Sequence, residues 1–93
     1  MTIYACILAE VATGLTFDAV QHLVNLKSIG LVVPTTGPYD LMIIAQASDA
    51  HTLGKTIVTE IQQAPGIQST LTLLILDKLE PHNWLQQFLV DSD

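Results

Sequence analysis

From Ile3 to Val11 the chain alternates, with Ile3, Ala5, Ile7, Ala9 and Val11 on one side and Tyr4, Cys6 and Leu8 on the other. Both sides are largely apolar, which predicts a strand covered on both faces. Thr13 and Gly14 mark the following turn. From Thr16, read as an N-cap, the apolar positions Phe17, Val20, Leu23 and Val24 recur with Lys27 at helical spacing, and Asp18 sits where the helix dipole favours an anion. This predicts a first helix ending near Ser28. Ile29 to Thr35 reads as a second strand, and Pro34 within it removes a ladder donor and so argues for a sheet edge.

A third strand is predicted over Leu41 to Ala47, again apolar on both sides. Ser48 and Asp49 offer caps for a second helix with a stripe of Leu53, Ile57, Val58 and Ile61, which Ala64-Pro65-Gly66 stops. Ile67 to Leu76 forms a fourth strand, with Ser69, Leu71, Leu73 and Ile75 on one side and Gln68, Thr70, Thr72 and Leu74 on the other. The two halves repeat a strand-helix-strand plan with Gly30 and Gly66 at corresponding places. The class is therefore α+β, a ferredoxin-like βαββαβ unit with a four-stranded antiparallel sheet and two helices on one face.

Right-handed crossovers put the first and third strands in the centre of that sheet and the second and fourth at its edges. Two helices cover only one face. The other, carrying either Ile3, Ala5 and Ile7 or Tyr4, Cys6 and Leu8, must meet something else or stay wet, and a second copy's sheet would cover it. Residues 1–78 form this domain, and 79–93 a C-terminal helical extension in which Pro81 suits the first helical position and Trp84, Leu85, Phe88 and Leu89 make an apolar stripe.

Composition sharpens the need for a partner. A chain of 93 residues buries only roughly 60 to 70% of its unfolded surface, yet 49% of these residues are hydrophobic. That is more apolar material than one small core hides. The longest apolar runs fall far short of the ~20 residues of a membrane span, and no basic region precedes the first of them. A soluble, cytoplasmic chain is expected. Three lysines and no arginine against nine carboxylates give a net charge of -6, which argues against direct binding to nucleic acid. The single Cys6 reads as a small hydrophobe in a strand.

Candidate chemistry is sparse. His22, His51 and His82 fall in different segments without metal-ligand spacing. There is no phosphate-cradling glycine loop and no nucleophile elbow. No catalytic residue, metal or cofactor is assigned. What stands out is Thr36-Gly37-Pro38-Tyr39-Asp40 between the second and third strands. Gly37 supplies an unusual backbone angle, Pro38 stiffens the loop and Asp40 can accept bonds from nearby amides, which is all a hairpin needs. The same groups also suit a small zwitterion: amides near Gly37 and the hydroxyls of Thr35 and Thr36 for its carboxylate, Asp40 for its ammonium.

Thr-Thr-Gly-Pro-Tyr-Asp-Leu-Met, then Ser48-Asp49 opening a helix, Pro65-Gly66-Ile67 and the closing strand Thr70 to Leu76 together resemble the effector (RAM) domain of the Lrp/AsnC regulators over about residues 3 to 77. The resemblance implies sheet-to-sheet homodimers, each a dimeric α/β barrel, assembling into octameric or similar rings. It also implies an amino-acid effector bound near the boundaries between dimers, at the loop joining strands two and three. Carried over by position, Thr36, Gly37, Pro38, Tyr39 and Asp40 form the effector loop, with Thr70 and Leu74 on the last strand as further ligand-binding candidates. Full-length members place a helix-turn-helix DNA-binding domain before this one, whereas here the chain starts directly with the first strand. The expectation is a stand-alone effector module, not an enzyme, acting through a partner such as a full-length regulator. Two other readings compete: a small dimeric α/β-barrel enzyme of the monooxygenase type, and an assembly scaffold without ligand.

Overall fold

A computed structural model describes residues 2–76. The elements are β1 (Ile3–Val11), α1 (Thr16–Leu23), β2 (Ile29–Pro34), β3 (Leu41–Ala47), α2 (Ala50–Thr56) continuing into a π-helical turn (Ile57–Ile61), and β4 (Ile67–Ile75). The strands form one antiparallel sheet in the order β2-β3-β1-β4. This is the ferredoxin-like arrangement, with β1 and β3 central and the Pro34-bearing β2 at an edge. The extension over 79–93, with Trp84 and Phe88, lies outside the described residues.

Side-chain alternation sorts the sheet into two faces. Ala5, Ile7, Ala9 and Val11 of β1 and Leu41, Ile43 and Ala45 of β3 are buried beneath the helices, where they meet Ala19 and Leu23 of α1 and Leu53, Ile57 and Ile61 of the second helical segment. The alanines let the helices approach closely, and Ile7, Leu23, Leu41, Ile43 and Ile61 fill the space between. Each of these five is fully buried, which contributes about 1.5–3 kcal/mol apiece.

The opposite face settles which side of β1 lacks helices: it carries Tyr4, Cys6 and Leu8. Cross-strand neighbours extend it, since Cys6 stands between Ile44 and Leu73, and Leu8 between Met42 and Leu71. Leu31 of β2 joins at the other edge, opposite Ile44. Leu31, Leu71 and Leu73 are 44–48% exposed. Cys6 is half-buried on this face, not enclosed in the helix-covered core.

The helices depart from the expected pattern in definite ways. Thr16 is the first residue of α1 and not its cap; Leu15 holds the cap position without any side-chain bond. The helix ends at Leu23 and not near Ser28, because Val24 to Ser28 turn back toward the sheet through Leu26 N–H to Leu23 O (3.1 Å) and Ile29 N–H to Leu26 O (3.2 Å). Its inward stripe is Ala19 and Leu23, while Phe17 and Val24 face outward. In the second segment Asp49 is the cap, accepting from Thr52 N–H at 2.7 Å. Leu53, Ile57 and Ile61 point inward as expected, but Val58 is exposed. The π turn, closed by Gln62 N–H to Ile57 O (2.9 Å), adds a residue to the helical segment.

Candidate functional site

Strands β1 and β3 pair from Ile3↔Ala47 to Ala9↔Leu41, and the chain leaves β2 for the connecting turn at Thr35. Two residues pin this turn. Thr35 N–H donates to Asp40 O at 2.9 Å, and Thr35 Oγ1 donates to Tyr39 O at 2.8 Å. Asp40 N–H donates to Ala9 O at 2.8 Å, and its carboxylate Oδ2 accepts from Val11 N–H at 2.7 Å. Between these anchors Thr36, Gly37 and Pro38 are exposed, with Tyr39 and Asp40 half-buried beneath them. Gly37 has φ +119, and the space beside it is open. Tyr39 precedes the strand, which begins at Leu41.

The structure brings one of the β4 candidates to this end of the sheet. Thr70 lies opposite Ala9, whose other neighbour is Leu41, so it stands two strand spacings from the turn, roughly 10 Å. Its Oγ1 accepts from Gln62 Nε2 at 3.0 Å. Leu74 lies opposite Ala5, four residues further along β4, roughly 13 Å from Thr70. It is half exposed and apart from the cluster. Val11 N–H and Gln62, which hold Asp40 and Thr70, were not foreseen. The first is a backbone group brought into play by register alone, and the second depends on how the helical segment ends.

Elsewhere the described residues form shallow hollows, one of them of about 190 Å³ beside Val24, Gly30 and Val32. Another, shallow and of about 340 Å³, includes Lys27, Ser28, Gln46 and Ser48, and an apolar one of about 150 Å³ lies on the open sheet face beside Tyr4, Leu31 and Ile44. His22 and His51 are exposed on helix surfaces, and His82 lies outside the described residues. Among the described residues no group of three His, Cys, Asp or Glu side chains is placed to hold a metal ion. Nor is any helix among them long and apolar enough to cross a membrane. Asp49, fully exposed, has its carboxyl held below the ordinary carboxylate range, chiefly by the Thr52 backbone N–H.

Residues 5–85 match the family model of the Lrp/AsnC ligand-binding domain. The chain belongs to this family. Solved structures agree at the level of the fold. Escherichia coli AsnC superposes with a TM-score of 0.79 at 23% identity, over 87% of this Lrp/AsnC-type chain and 55% of that one. A Neisseria meningitidis transcriptional regulator solved with L-Met gives 0.77 at 13% identity, covering 87% and 54%. A Thermus thermophilus protein, TTHA0845, gives 0.76 at 24% identity and is matched over 99% of its length by 85% of this chain. A stretch of 64 residues, 69% of the chain, is 31% identical to homocitrate synthase of Saccharolobus islandicus. The chain spans only 14% of the length of that curated relative.

Proposed function

We propose that this chain is an amino-acid-binding, oligomeric regulatory module without catalytic activity of its own. The observation that carries the reading is the match of residues 5–85 to a ligand-binding domain. Its site is the clamped turn: Thr36, Gly37, Pro38, Tyr39 and Asp40 line it, with Thr70 at its edge and Leu74 as an outlying candidate. The exposed amides near Gly37 and the Thr36 hydroxyl suit a carboxylate, while the Thr35 hydroxyl is engaged with Tyr39 O. The structural neighbour solved with L-Met supports an amino acid as the ligand class.

Assembly follows from the open sheet face. Packing the faces of two copies together would bury Leu71, Leu73 and Leu31 with the half-buried row of Tyr4, Cys6 and Leu8, giving a dimeric α/β barrel. Such dimers, joined into a ring near the turns, would place the effector at a subunit boundary. With three lysines, no arginine and a net charge of -6, this module is not the part that touches DNA. Its output passes through a partner in the cytoplasm.

That partner can be of two kinds. A full-length Lrp/AsnC regulator sharing mixed assemblies is the first. The stretch shared with homocitrate synthase favours a second reading, in which modules of this type serve an enzyme. Both share one test, a thermal-shift screen of the chain against the twenty amino acids at millimolar concentration. An amino acid at about 100 times its Kd stabilises by about 2.7 kcal/mol, which for a domain this small raises Tm by roughly 10 °C or more. No shift with any of them sinks the ligand claim and leaves the scaffold.

A further inference from the structure

Asp40 is held at three of its four polar positions, all but Oδ1. Its N–H goes to Ala9 O (2.8 Å), its carbonyl accepts from Thr35 (2.9 Å), and its Oδ2 accepts from Val11 N–H (2.7 Å). The third of these follows from strand geometry. Pairing of β1 with β3 ends at Ala9↔Leu41, and Val11, two residues on, directs its amide to the same edge of β1 as Ala9 does. The chain has already turned away from that edge, so no β3 carbonyl stands opposite. On its other side, β1 shifts register against β4 between Glu10 and Val11. The Asp40 carboxylate takes the place of the missing rung, with a charge-assisted bond shorter than the other bonds Asp40 makes.

We infer that Asp40 is a positioning residue: acting through Val11, it fixes the turn that meets the effector, and it is not itself the partner of the effector's ammonium. The inference rests on the amino-acid-binding reading above and narrows it. Swinging this carboxylate toward a ligand would break the 2.7 Å bond and leave a part-buried amide unpaired. It would also loosen the end of the turn opposite the Thr35 clamp.

The test uses the full chain and two variants, Asp40→Asn and Asp40→Ala, each titrated with the amino acid that gives the parent its largest thermal shift. Hydrogen exchange at the Val11 amide is followed by NMR. Asp40→Asn keeps an oxygen for Val11, so Val11 stays protected and affinity changes by less than about threefold. Asp40→Ala speeds Val11 exchange and weakens binding, each by about tenfold or more. Thr35→Val removes the Thr35–Tyr39 bond without touching charge and weakens binding in the same direction, which covers the case of an Asp40→Ala chain that does not fold. The inference is overturned if Asp40→Asn loses binding as severely as Asp40→Ala while Val11 remains protected, since that marks a direct ion pair. It is also overturned if Val11 exchange is unchanged in Asp40→Ala. A parent that binds none of the twenty amino acids removes the effector reading instead. The clamp is then upheld if Asp40→Ala frees Val11 and shifts the Gly37 amide resonance, and overturned if it does neither.

Discussion

Gly66 and Leu15 fit together only because Gly66 has no side chain: a Cβ at Gly66 would lie 2.6 Å from Leu15 Cβ and 3.2 Å from Val11 Cγ1. The same glycine has φ +81, and its carbonyl accepts from Ala12 N–H at 2.8 Å, closing the loop between β1 and α1 against the start of β4. Gly66→Ala therefore meets two penalties, backbone strain and overlap with a neighbour's backbone-proximal carbon. The expected loss is about 2–5 kcal/mol, read as a lowered midpoint in urea or thermal unfolding. Gly37→Ala serves as the comparison, since Gly37 also has positive φ but nothing near it. Its loss is expected to be the smaller of the two.

Asp49 makes a pH-dependent contribution. Its carboxylate caps α2 through Thr52 N–H at 2.7 Å, and this bond holds its folded-state pKa below the unfolded value. A depressed pKa means that the contribution is complete above the unfolded pKa and is lost as pH falls through the folded one. Asp49→Ala should consequently lower the unfolding midpoint at pH 7, and the gap to the parent should close in the acid range. A gap independent of pH would contradict the ionic cap.

Leu73 tests the open face. It is 48% exposed and stands opposite Cys6 in the middle of that face. Leu73→Glu places an unpaired charge where a second sheet would pack, weakening self-association by about 3–5 kcal/mol, or about two to nearly four orders of magnitude in Kd. The exposed side chain contributes little to the single chain, so far-UV circular dichroism should be unchanged. Sedimentation of the variant at the parent's mass would contradict sheet-to-sheet packing.

The strands were legible because alternation survives in them without interruption. β1 over Ile3–Val11 and β3 over Leu41–Ala47 have the expected limits, and β2 and β4 end within one residue of them. The helices were harder. Ala19 carries the inward face of α1 although its small side chain gives no signal in a periodicity reading, while Phe17 and Val24 signalled strongly and face outward. Val58 stands about 100° of helical rotation past Ile57, off the line of Leu53, Ile57 and Ile61, and is exposed. In the candidate site the turn residues were visible as types, but the Val11–Asp40 bond was not. It depends on a register shift and on where β3 begins, neither of which the residues of the turn encode.

The central claim is an assembling module that answers to an amino acid, and light scattering of the chain with and without an amino-acid mixture tests both halves at once. The account predicts a mass that is an even multiple of the 10.1 kDa monomer and that changes when the mixture is added. A monomer of 10.1 kDa under both conditions would contradict it.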